Sequence, residues 1–273
     1  DPIIGFASDY YYARRFSRKP FILSGGLLFV VASWFLYLPF GFEFPYGSDE
    51  SAISGGYFLG CFLAYYFAFT LFEIPHLAWA SNLAIDTAEK TQVYGMRSFY
   101  GHIGPLMFYA LPLLPIFHST EITPQTLKWA VLVSGIIMIP SLLFCVFSVP
   151  DSPLVIKKTT NERRIAKDGD IRSTLPLIFH NKPLMMLLIG AVFVGFAGGM
   201  WGALLFFFVD SYLVLGEKFA HVMLISITLS ILSLKFWGQL AGIFGKQITW
   251  CVALTFSGCG MIVNSFLVIT LHI

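Results

Sequence analysis

Four ionisable residues, Asp1, Glu73, Arg97 and Lys235, stand in or beside apolar runs that carry almost no other charge. Inserting a charge at the centre of a bilayer costs about 2.5–3.5 kcal/mol, so an ionisable group kept there has a functional reading by default. Depth follows from helical rise. Asp1 precedes Asp9, at the edge of a basic loop, by eight positions and so lies roughly 12 Å in. Glu73 precedes Leu83 by ten, and Lys235 precedes Gly245 by ten, which puts each roughly 15 Å deep. Asp86-Thr87-Ala88-Glu89 reads as a capping box that starts a helix near Thr87. Arg97 then lies ten residues inside it, again roughly 15 Å. Groups at one depth imply a shared central cavity.

Glu73 has the richest neighbourhood. Thr70 lies three residues before it, and His76 and Leu77 continue the same helical face. Pro75 has no amide proton, which leaves the carbonyl of Leu71 without its helical donor. A carboxylate, a hydroxyl and a free carbonyl can hold Na⁺, and the carboxylate can instead carry a proton. The plain alternative is a neutral glutamic acid hydrogen-bonded within its own bundle. Arg97 offers five donors in a rigid fork, suited to paired hydroxyls or a carboxylate; its plain alternative is an interfacial anchor. Lys235 reads as a counter-charge for Glu73 or for an anionic substrate, or as a stem that snorkels to water. His76 can relay a proton beside Glu73, and His102 is a weaker case of the same kind; packing is the alternative for both. Trp79 and Trp201 offer flat stacking surfaces, with packing or lipid contact preferred.

The elements that must position these groups are membrane helices. Of 273 residues, 57% are hydrophobic and 12% charged, with 17 Lys+Arg against 15 Asp+Glu. A soluble domain this size cannot cover so much apolar surface with so few charges. The composition excludes a soluble enzyme, a disordered chain and a nucleic-acid binder, and leaves a polytopic all-α membrane protein. Seven stretches, Phe21–Phe42, Ala52–Phe72, Phe99–Phe117, Trp129–Val149, Leu184–Val209, Phe219–Phe244 and Trp250–Leu271, have the length of a span. Their backbone groups must be satisfied internally, which selects helices. The chain reads as a fragment, since it opens in the last turns of a helix and stops soon after an apolar run. Fourteen of the seventeen basic residues fall in alternate loops, which places those loops in the cytoplasm. The polar stretch Pro150–Pro183 is a cytoplasmic linker between residues 1–150 and 184–273. The four cysteines lie in apolar runs without a C-x-x-C pair and read as packing residues. Gly56/Gly60, Gly195/Gly199 and Gly198/Gly202 form G-x-x-x-G pairs that read as close helix packing. No nucleotide-binding loop or H-E-x-x-H motif occurs, so no enzyme activity, cofactor or resident metal is expected.

The opening residues carry a family resemblance. Asp1-Pro2-Ile3-Ile4-Gly5-Phe6-Ala7-Ser8-Asp9, then Arg14-Arg15-Phe16-Ser17-Arg18-Lys19-Pro20-Phe21, resembles the loop between the second and third helices of the major facilitator superfamily. Within it the stretch is similar to the glycoside-pentoside-hexuronide:cation symporters, the melibiose permease-like group. Gly5 lets two helices approach, Asp9 sits at the cytoplasmic mouth, and Arg14, Arg18 and Lys19 anchor the motif to the inner face. Gly238-Gln239-Leu240 leading to Gly245-Lys246-Gln247 is a fainter echo where a second-half repeat belongs. The resemblance implies the superfamily fold from the end of helix 2 through helix 9. It implies a first bundle at 1–150 and the start of a second at 184–273. It assigns Asp1, Thr70 and Glu73, in Glu73-Ile74-Pro75, to a cation site, and Arg97 to sugar binding. Glu73 replaces the family's Asp, and Leu77 stands where a stacking Trp is expected, with Trp79 two residues on.

The resemblance therefore implies a secondary active transporter that couples Na⁺ or H⁺ to symport of a sugar or glycoside. Arg97, Lys235, His76 and Trp79 are the candidate substrate ligands, and the coupling cation, the solute and membrane lipid are the partners. The plasma membrane, a bacterial inner membrane, is the expected location. An exporter or antiporter of another small or amphiphilic solute, or a non-transporting scaffold or receptor, are the alternatives.

Overall fold

The computed structural model describes residues 2–15, 17–39, 54–84, 86–117, 119–150 and 179–271. Asp1, the 40–53 segment and most of the linker lie outside the described residues. Every described element is helical, with no strand among the described residues. The main helices are α1 (Pro2–Arg15), α2 (Lys19–Tyr37), α3 (Gly55–Leu83), α4 (Thr87–Ala110), α5 (Pro124–Ser148), α6 (Lys182–Phe207), α7 (Phe219–Phe244) and α8 (Lys246–Leu271).

Local chemistry sets the helix ends. At α5, the Thr123 hydroxyl accepts from the Thr126 amide at 3.3 Å, and the Thr126 hydroxyl accepts from the Thr123 amide at 2.8 Å. That reciprocal box satisfies two amides no helical carbonyl can reach. Asn181 caps α6 by accepting from the Leu184 amide at 3.2 Å. The predicted start of α4 at Thr87 holds, with the Asp86 amide donating to the Glu89 carboxylate at 3.4 Å. Gly245 alone joins α7 to α8. Its φ of 85° lies in the left-handed region that glycine enters at no steric cost. Gly238-Gln239-Leu240 is therefore interior to α7 rather than part of a loop.

Among the described residues, five helical stretches are both long and apolar enough to cross a membrane: Lys19–Tyr37, Gly55–Leu83, Pro124–Ser148, Lys182–Tyr212 and Gly216–Phe244. α4 and α8, of 24 and 26 residues, are about 36 and 39 Å long, also enough to span. Two helices run beyond the apolar stretches Ala52–Phe72 and Phe99–Phe117. α3 runs on past Phe72 to Leu83 with Pro75 inside it, because a proline removes one hydrogen bond without ending a long helix. α4 starts twelve residues before Phe99 and gives way at Leu111–Leu113 to a 3₁₀ turn; Glu89, Lys90 and Arg97 hide its first half from a hydropathy reading.

The chain falls into two compact units: Asp1–Val93 with Leu111–Ala220, and Tyr94–Ala110 with His221–Ile273. In the first, α2 lies antiparallel against α3. Phe29 meets Tyr65 and Phe69 with ring centroids 4.8 and 5.9 Å apart, and the Tyr57 hydroxyl donates to the Phe35 carbonyl at 2.8 Å. A Cβ at Gly25 would lie 2.6 Å from the Phe72 amide nitrogen and 2.7 Å from the Leu71 carbonyl carbon. A Cβ at Gly26 would lie 2.6 Å from Leu142 Cδ2 of α5. Two adjacent glycines thus bring two different helices onto α2, which in lipid is how van der Waals packing is gained. Ile22, Trp79, Leu142 and Val146 form the buried cluster below them. The three G-x-x-x-G pairs do not act this way. A Cβ at Gly60, Gly195, Gly198, Gly199 or Gly202 would meet nothing within 4 Å, and one at Gly56 only the Ser54 hydroxyl. α6 has no buried residue, so its glycines face no partner among the described residues. The four cysteines are unpaired thiols.

Candidate solute and cation site

Glu73 sits in the interior of α3, half-buried, with Thr70 and His76 half-buried on the same side and Pro75 fully buried. At about 100° per residue, Thr70 and Glu73 lie within about 60° of each other. The Leu71 carbonyl does not join them. A Cβ at Gly25 would stand 3.0 Å from Leu71 oxygen, so this carbonyl faces α2, whereas Glu73 is about 200° round the helix from Leu71. The expected trio of carboxylate, hydroxyl and free carbonyl is thus reduced to the first two. His76 stacks on Phe72, with ring centroids 5.4 Å apart and planes within 13°, which fixes its ring along α3.

α1 reaches α3 beside the acid. Gly5 faces Ile74, whose Cγ2 would be 3.8 Å from a Cβ placed on the glycine. α1 is antiparallel to α2, since Tyr11 meets Phe21 across their turn at 5.6 Å. It therefore runs parallel to α3, and equal rise puts Pro2, three residues before Gly5, level with Leu71. Asp1 itself lies outside the described residues.

Trp79 takes the packing place preferred for it over stacking on a solute. It is 4% exposed and packs with Ile22, Leu142 and Val146, with the Lys19 ammonium 5.8 Å from its ring centre. An indole held there is a wedge between α2, α3 and α5 and offers no open face to a solute ring.

The motif after α1 is locked by charge and aromatic contact. Arg18 Nη2 donates to Asp9 Oδ1 at 2.6 Å, and its guanidinium lies 4.1 Å over the Tyr12 ring. The Arg18 side chain is 8% exposed, while Asp9 is 61% exposed. The Ser8 hydroxyl, fully buried, donates to the Gly5 carbonyl at 3.0 Å. Arg14 stays exposed and stacks on Tyr10 at 4.1 Å.

In the second unit, Arg97 is half-buried on α4. His102, one and a half turns further on, is held by two hydrogen bonds. Its Nδ1 faces the Ser98 carbonyl at 2.6 Å and its Nε2 the Ser230 hydroxyl of α7 at 3.0 Å. Lys235 follows Ser230 by five residues, about 140° round α7, and is exposed. It therefore does not share the face that meets α4. Sequence reasoning missed Gly25 and Ser230. The signal for the first was an adjacent glycine pair in a helix of large residues. The signal for the second was a Ser226, Ser230, Ser233 stripe at helical spacing. Among the described residues no three His, Cys, Asp or Glu converge on a metal-sized site.

The helices, the motif after α1 and the half-buried acid together fit a multi-pass membrane protein. The chain belongs to the MFS/sugar transport protein family, whose model matches residues 1–272. It is also 20% identical over 272 residues to a Bacillus subtilis (strain 168) protein described as an uncharacterized symporter, YjmB. That match covers 98% of this chain and 56% of the relative, so the chain spans about half the length of the curated relative it matches. No solved structure matches it. The chain is thus an integral plasma-membrane protein of a transporter family.

Proposed function

We propose that the protein is a secondary active transporter that couples Na⁺ or H⁺ to the symport of a sugar or glycoside. The observation that carries this reading is Glu73: a half-buried carboxylate in the interior of a spanning helix, with Thr70 on its face and α1 packed at the next residue, Ile74. An ionisable group kept inside a spanning helix has a functional reading by default, and exchange of a cation on this carboxylate is the proposed coupling step. Asp1 belongs to the same proposed site by family resemblance. Arg97 is the proposed sugar ligand. The cytoplasmic side is the side of the Asp9–Arg18 pair, in keeping with its basic loops.

The family name and the symporter description of the relative support solute transport. A second reading, export or antiport of another small or amphiphilic solute, is favoured by one observation: burial of Trp79 removes a stacking surface that sugar binding would use. Uptake of labelled glycosides into vesicles of the full-length protein, under imposed Na⁺ or H⁺ gradients, separates the two. Gradient-dependent accumulation supports symport, and accumulation driven only by an opposed gradient supports antiport. Orientation has its own test. In a full-length background without other cysteines, Ser48→Cys should label from outside intact cells; labelling only after permeabilisation would reverse the topology.

A further inference from the structure

We propose that His102 and Ser230 form a hydrogen-bonded joint that positions α4 against α7. A carbonyl offers no proton, so at the 2.6 Å contact between His102 Nδ1 and the Ser98 oxygen the ring nitrogen is the donor. The Ser230 hydroxyl stands 3.0 Å from Nε2 of the same ring, within hydrogen-bond distance. Both ring nitrogens thus have a partner, one on each helix. The two residues are 128 positions apart, on either side of the linker, and each is interior to its helix. His102 lies eight residues before Ala110 and Ser230 eleven after Phe219, roughly 12 and 17 Å in. The neighbouring hydroxyls of α7 do not compete. Ser226 donates to the Val222 carbonyl and Ser233 to the Ser230 carbonyl, each at 2.8 Å, so both turn back on their own helix. Ser230 alone of the three reaches α4. Arg97, five residues before His102, and Lys235, five after Ser230, are both about 140° round from the joint, which leaves it facing a hydroxyl and no charge from either helix.

The joint gives His102 a positioning role in place of the proton relay its residue type invites. The joint does not rest on the transport reading. The test uses the full-length protein in a denaturing-detergent titration with four variants: His102→Leu, Ser230→Ala, their combination, and His102→Gln. Each of the first two should shift the unfolding equilibrium about threefold, and at most about twentyfold. The combination should be no worse than His102→Leu alone, because that variant already removes the bond that Ser230→Ala breaks. Glutamine does not titrate but still donates and accepts, so it should recover most of the loss. Additive losses, or glutamine as damaging as leucine, would overturn the joint. None of these readouts needs a substrate, so the joint can fail while the transport reading stands, and the reverse.

Discussion

α3 and α7 each carry one acidic or basic residue besides histidine inside an apolar helix, and the two residues live differently. Glu73 is half-buried on a helix pinned from two sides, by Gly25 of α2 at Leu71–Phe72 and by Gly5 of α1 at Ile74. Lys235 is exposed, and the packed face of its helix, marked by Ser230, lies the other way. Equal depth in the sequence therefore does not mean equal role. A charge becomes a candidate site when neighbouring helices fix the backbone around it; a long cationic stem can carry its head to water and needs no such frame.

The largest expected effect breaks the frame itself. Gly25→Leu puts side-chain atoms where the Leu71–Phe72 backbone already stands, a clash that no rotamer relieves. Destabilisation of about 3 kcal/mol or more is expected, read as loss of a monodisperse peak in detergent-solubilised protein. Gly60→Leu, on the same helix as Glu73 but in open space, should keep that peak. Matching behaviour of the two would remove the packing half of the comparison.

Arg97→Lys comes next. It keeps the charge and loses the fork, so solute binding should weaken roughly ten- to hundredfold, the equivalent of about 1.5–3 kcal/mol for a charged hydrogen bond. Equilibrium binding to purified wild type and variant measures it, and equal dissociation constants would leave Arg97 an anchor. Asp9→Asn should be milder. It breaks the bond to Arg18, but Asp9 is largely exposed, so a stability loss below about 1 kcal/mol is expected in thermal unfolding. Lys235→Met should do least, leaving uptake within about twofold of wild type, as exposed substitutions usually change little. A loss as deep as that of an α3 variant would restore Lys235 to the site.

What could be read from residues alone divides along the same line. α7 was legible end to end as Phe219–Phe244, and the start of α4 followed from Asp86 to Glu89, because apolar length and capping are local properties. The continuation of α3 beyond Phe72 was masked in hydropathy by Glu73, Pro75 and His76, although the backbone passes through them unbroken. Which glycines pack was not legible. Gly25-Gly26 and Gly198-Gly199 look alike as pairs, and only the arrival of α3 and α5 at the first distinguishes them. For Trp79 packing was the preferred reading, but the cluster of Ile22, Leu142 and Val146 that encloses it was not visible in the sequence.

The central claim is that Glu73 couples the cation to solute movement. The direct measurement is Glu73→Gln in the full-length protein, assayed in one vesicle preparation for accumulation under an imposed Na⁺ or H⁺ gradient and for solute exchange with no gradient. The amide keeps the shape and hydrogen-bonding reach of the side chain while removing its charge and its titratable proton. Accumulation should fall to background while exchange and expression persist. Accumulation at the wild-type level would contradict the account and remove Glu73 from the coupling mechanism.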